Sequence, residues 1–117
     1  MTLQTTWYHG TNSSGLDGIL VKGFIPNQGL FGTGVYFSSS LEGARIFGDR
    51  ILSVQIARDQ IHYEPFSNWM KQYPDENSWG RAAALGYPAV AFFYESGEVE
   101  LVVYVASLIQ NVTEWER

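Results

Sequence analysis

A histidine, a tyrosine and a glutamate, far apart in the chain, stand where side chains can do chemistry. His9 ends a short strand-like stretch, "TTWYH", and is followed at once by Gly10. A residue without a side chain lets a ligand approach the backbone closely, so that N–H and C=O can both be used. Tyr36 lies two residues past Gly34, in "FGTGVYF" (31–37). Glu100 lies near the start of "VELVVYV" (99–105), whose hydrophobicity predicts a central strand covered on both faces. A carboxylate there is costly to bury without a partner. It must either sit at an exposed strand end or serve a site. Glu98 is two residues earlier, on the same strand face and about 6–7 Å away. Two like charges so placed suit a solvated hairpin, or a site where developing positive charge has to be stabilised. The plain structural alternatives are a capping histidine, a half-buried strand tyrosine and a turn at Gly32–Gly34.

Other chemistries find little support. His9, Glu98 and Glu100 show no metal-ligand spacing, and two histidines, His9 and His62, are too few for a His-rich site. The serines at 38–40 lack the Gly-x-Ser-x-Gly context of a nucleophile elbow. The glycines at 32 and 34 lack the spacing of a phosphate loop. There is no cysteine, which excludes disulfides and thiolate metal sites and is compatible with a reducing cytoplasm. A net charge of −5 argues against a broad surface for nucleic acid. No run approaches the roughly 18 apolar residues of a membrane span, and no secretory signal is visible at the N-terminus. A cytoplasmic monomer is the expectation.

Elements must hold these residues in place. The 117 residues predict one domain over 1–117, and aromatics at 15% suggest an aromatic-lined cleft. Residues 5–10 read as a first strand. A short helix follows, capped by Ser13 or Ser14, with Leu16, Ile19 and Leu20 on one side and Gly23 as its stop. Residues 26–33 read as a loop and 34–38 as a strand. A second short helix is capped by Ser39 or Ser40, with Leu41, Ala44 and Phe47 facing inward. The alternation of Leu52, Val54 and Ile56 predicts a strand over 50–57. Residues 59–74 give mixed signals and read as irregular. A helix capped by Asp75 or Asn77 and stopped by Gly86 precedes two strands, 89–94 and 97–107, joined by a turn at Gly97. The sum is an α+β fold of about six strands and two or three small helices.

Three segments taken together, "WYHGT" (7–11), "LFGTGVYFSSSLEGARIFG" (30–48) and "GEVELVVYVASLI" (97–109), resemble the signature segments of ADP-ribosyltransferases of the diphtheria-toxin and poly(ADP-ribose) polymerase branch. That branch carries a His, a Tyr and a Glu on three separate strands. The resemblance implies a small fold of two packed antiparallel or mixed sheets with short helices around an NAD cleft. It implies NAD as co-substrate, no metal, and release of nicotinamide. His9 would hydrogen-bond the adenosine ribose, beside Thr11. Gly10 would clamp the nicotinamide carboxamide. Tyr36 would stack on the nicotinamide ring, with Phe47 as a second aromatic beneath it. Glu100 would hydrogen-bond the 2′-hydroxyl of the nicotinamide ribose and stabilise the oxocarbenium-like transition state.

Thr33 stands where polymerases of this family often have a lysine, and Ala44 where they have a carboxamide-contacting serine. The short chain leaves little room for an elongation subsite, which favours transfer of a single ADP-ribose unit to a protein. Glu98-Val99-Glu100 is similar to the Glu-x-Glu of arginine-modifying toxins, whose first Glu engages the acceptor. "YHGT" with "VYF" also resembles rifampicin ADP-ribosyltransferases. RNA 2′-phosphotransferases share the fold, but no matching set of basic residues is present. NAD hydrolysis, transfer to a small molecule or nucleic acid, and binding without turnover remain the alternatives. A small transferase of this kind would suit a phage or bacterial effector.

Overall fold

The strand-forming segments pair into a single hydrogen-bonded path. The computed structural model describes residues 3–116. Its strands are β1 (Gln4–Thr11), β2 (Asn27–Gly29), β3 (Gly32–Ser38), β4 (Arg50–Ala57), β5 (Ile61–Pro65), β6 (Ala89–Phe93), β7 (Val99–Val103) and β8 (Gln110–Trp115). Their order is β5-β6-β7-β3-β1-β4-β8, with β2 added to β3. Only β5 and β6 run parallel, so the sheet is mixed. The α+β expectation holds at this level. The expectation of two separate packed sheets does not: β1 and β3 join the halves through one registered pair, Tyr8 opposite Ser38.

The apolar periodicities account for the core. β4 buries Leu52, Val54 and Ile56 as its alternation requires. β7 lies between β6 and β3 and is covered on both faces. Leu101 and Val103 join a largely aliphatic cluster with Val35, Phe37 and Val54. Val102 faces an aromatic cluster of Phe31, Trp69 and Phe92. Phe31 stacks on Phe92 with ring centroids 3.8 Å apart. Each such side chain, fully buried, contributes on the order of 1.5–3 kcal/mol relative to exposure.

Several local expectations are corrected. The segment read as a loop over 26–33 is a hairpin: Leu30 and Phe31 turn β2 into β3, and Gly32 adopts a φ of +96°, open to glycine without strain. The first helix, α1 (Ser13–Lys22), is capped by Asn12, whose side chain accepts from the Gly15 N–H at 2.7 Å, rather than by Ser13 or Ser14. Only Leu16 is fully buried on it, and Leu20 is exposed. The second helix, α2 (Leu41–Arg45), is capped by Ser40, but Phe47 beyond it does not face inward: it is 70% exposed. Residues 59–74 are not irregular, since they hold β5 and α3 (Phe66–Gln72).

Residues 76–85 form a 3₁₀ helix rather than an α-helix. With three residues per turn, Trp79 and Ala82 fall in one stripe. Ala82 is buried, and the Trp79 indole donates to the Tyr73 carbonyl at 2.8 Å. The strand expected over 97–107 stops at Val103, and β8 is an additional edge strand.

Candidate functional site

β1 pairs with β4 along its whole length but parts from β3 beyond Tyr8. The gap leaves a backbone acceptor on β3, and a side chain fills it. His9 Nδ1 lies 2.8 Å from the Tyr36 carbonyl oxygen. A carbonyl only accepts, so Nδ1 carries the proton, and in the neutral ring Nε2 is an acceptor. Burial pushes the imidazole below its ordinary range, against the opposing pull of that carbonyl. Phe24 and Phe37 hold the ring edge-on, at 5.2 and 5.7 Å between centroids.

Gly10 has a steric reason to be glycine that its sequence context does not show. A Cβ there would stand 1.7 Å from the Ala44 carbonyl oxygen. α2 rests directly on the strand at this point, so the close approach is made by the chain itself.

Tyr36 is fixed at its far end. Its hydroxyl donates to the Gly32 carbonyl at 2.6 Å and accepts the Phe31 N–H at 3.0 Å. Burial is the main reason its pKa is pushed up to about 12. The ring lies against Gly29, where a Cβ would come within 2.4 Å of it.

Register brings the acid to the phenol. Ser38 on β3 lies opposite Glu100 on β7, and Tyr36 opposite Val102. Because side chains alternate, Tyr36, Ser38 and Glu100 share one face of the sheet. Glu100 is half-buried and accepts a hydrogen bond from the Tyr94 hydroxyl at 3.2 Å. Burial raises its pKa, the Tyr94 bond opposes that, and no ion pair to it exists among the described residues. Burial, with Glu100 beside it, also raises the Tyr94 phenol.

Glu98 is held quite differently. Its Oε1 accepts from Ser38 Oγ at 2.5 Å, and Ser40 Oγ lies 2.9 Å from both carboxylate oxygens. Ser40 Oγ also accepts the Gly43 N–H in the first turn of α2, so the carboxylate and the helix share one anchor.

These side chains border two adjoining cavities, of 720 and 360 Å³. His9, Tyr36, Phe47 and Glu100 line both and form the wall between them. The larger also takes in Thr11 and one partly exposed face of α1, and the smaller takes in Gly10, Ala44, Tyr94 and Glu98. His9, Gly10, Thr11, Tyr36, Phe47, Glu98 and Glu100 therefore all border the same cleft. Phe47 does so from the solvent rim. Thr33 does not line it; its side chain is exposed and donates to Gln28 at 3.3 Å.

Sequence reasoning missed Phe24, Ser38 and Tyr94 as neighbours of the site. Ser38 carried a signal, being two residues from Tyr36 on a strand. Tyr94 carried none, because only the turn closed by Tyr94 N–H on the Glu98 carbonyl brings it to Glu100. No group of three or more His, Asp or Glu able to hold a metal occurs among the described residues. No helix among them is long and apolar enough to cross a membrane.

No protein-family model matches the chain, and no curated protein does. Among solved structures, the crystal structure of an anti-CRISPR protein is similar, with a TM-score of 0.51 and 14% sequence identity over 97% of this chain and 96% of that one. At this identity the likeness is one of fold.

Proposed function

We propose that the protein is an NAD-dependent mono-ADP-ribosyltransferase, which breaks the nicotinamide–ribose bond and passes one ADP-ribose unit to a protein side chain. One observation carries this reading: His9, Tyr36, Phe47 and Glu100, from separate parts of the chain, form the shared wall of two adjoining cavities. Together the cavities suit an elongated ligand with two unlike ends.

In this reading the nicotinamide end occupies the smaller cavity, with Tyr36 and Phe47 offering aromatic faces and Gly10 its backbone. His9 Nε2 accepts from a ribose hydroxyl. Glu100 faces the nicotinamide ribose. As the glycosidic bond breaks, positive charge gathers on that sugar. A fixed carboxylate in a site partly shielded from water lowers the energy of that state. Glu98 is already oriented by Ser38 and Ser40 and keeps acceptor capacity for a donor group on the incoming side chain. The likeness to an anti-CRISPR protein makes CRISPR effector subunits sensible first acceptors to test.

The experiment is incubation with NAD labelled in its adenylate half, alone and with bacterial lysate. The expected result is nicotinamide release and a labelled protein, both lost in Glu100→Gln. Nicotinamide release with no labelled macromolecule would mean hydrolysis. Label on a nucleic acid or small molecule would change the acceptor class. Binding of NAD with no release under any condition would make the protein a binding module.

A further inference from the structure

The larger cavity has a feature that the catalytic wall does not explain. Gly15, Gly18, Ile19 and Lys22 recur at helical spacing on α1, and all four line it. Lys22 is the one lysine or arginine lining either cavity, and it forms no ion pair among the described residues. Gly18 sits in the helix interior, where glycine is a weaker helix former than alanine. The protein itself gives no steric reason for it, since a Cβ at Gly18 would meet nothing within 4 Å. Gly18 is exposed on the cavity lining, and the space beside it is open.

The charges of the cleft are also divided. Glu98 borders only the smaller cavity, which has no lysine or arginine on its lining, Glu100 stands on the wall shared by both, and Lys22 borders only the larger. A dinucleotide with a pyridinium ring at one end and a diphosphate in its middle carries the complementary division.

We propose that this face of α1 is the diphosphate wall of the cleft, with Lys22 as counter-charge and Gly18 as the clearance that lets the phosphates lie close to the helix. The inference rests on the proposed NAD chemistry and names which residues hold the dinucleotide's anionic middle. Ion pairing at a solvent-open rim is modest, so the effect expected of Lys22 is modest too.

Calorimetric titration with ADP-ribose and with adenosine, which has no phosphate, tests it. Lys22→Gln is expected to weaken ADP-ribose binding about 5–10-fold, the scale of one exposed charge contact. Adenosine affinity should stay within about twofold of wild type. Gly18→Ala is expected to weaken ADP-ribose binding about tenfold while raising the melting temperature by a few degrees, roughly the value of one helix-propensity step. A glycine with only a structural role would give the rise without the loss. Unchanged ADP-ribose affinity in both variants overturns the proposal, as does an equal loss of adenosine in Lys22→Gln. If the wild-type protein still releases nicotinamide from NAD in that case, this inference falls alone. If it binds neither NAD nor ADP-ribose, the proposed function falls with it.

Discussion

β1 has two unlike edges. Along β4 it is paired from Gln4 to Thr11, with Leu52 and Val54 buried behind it. Along β3 it keeps one registered pair and then opens, and the freed carbonyl of Tyr36 is taken by an imidazole. The closed edge supplies rigidity. The open edge supplies room, and His9, Tyr36 and Glu100 all border it. A sheet can thus build a cleft by withholding ladder bonds on one side of a strand that is fully bonded on the other.

The sharpest way to break this contrast is from the closed edge. Leu52→Ala removes a wholly buried side chain opposite His9 and should cost about 2–5 kcal/mol of stability. Denaturant unfolding measures it, and turnover per folded molecule should barely change. Stability within about 0.5 kcal/mol of wild type would mean that the closed edge does not anchor the fold.

Next comes the open edge. Glu100→Gln should lower the rate of nicotinamide release by about 10²–10³-fold, the usual loss when one preorganised charge-stabilising group is removed. Its stability should move the other way. The folded-state pKa of Glu100 is raised above its unfolded value, so its ionisation opposes folding once pH passes that value. The stabilising contribution of the protonated form is complete below the unfolded pKa and is lost as pH rises through the folded one. Melting curves at several pH values should therefore show Glu100→Gln more stable than wild type near neutrality, with the gap closing on acidification. The acid limb of wild-type activity should lie above that of an ordinary carboxylate.

His9 tests the opening itself. His9→Ala leaves the Tyr36 carbonyl without its donor and should cost about 1–3 kcal/mol. It should also raise the KM for NAD, read from the same release assay. For the histidine the sign reverses. Its folded pKa is lowered, so its stabilising contribution is whole above the unfolded value and diminishes as pH falls from there toward the folded pKa. The smallest effect belongs to Ser40→Ala, which removes the α2 cap and a hydrogen bond to Glu98. A loss of about 1 kcal/mol is expected, visible as a lower melting temperature.

What the sequence made legible follows from where its signals are strong. β4 was readable to the residue because one face alternates and is buried. The hydrophobic run around 99–105 gave β7 as a central strand for the same reason. His9, Tyr36 and Glu100 could be nominated from their neighbours, but their meeting could not, because it depends on register between β3 and β7. β5 and β8 were missed as edge strands: β5 buries only Ile61 fully, and β8 buries no residue fully, so neither shows a clear period. α3 was missed because it begins at Pro65 with no side-chain cap. The steric need for glycine at position 10 was not legible, since a helix lying on a strand leaves no mark in the local sequence.

The phenol of Tyr36, tied to Gly32 and to Phe31, has one last consequence. Its side-chain rotors are stopped before anything arrives, so a planar guest meets a platform already set. Freezing a free side chain on association typically forfeits about 0.5–1.5 kcal/mol of affinity, and a tether made inside the hairpin spares the complex that entropy.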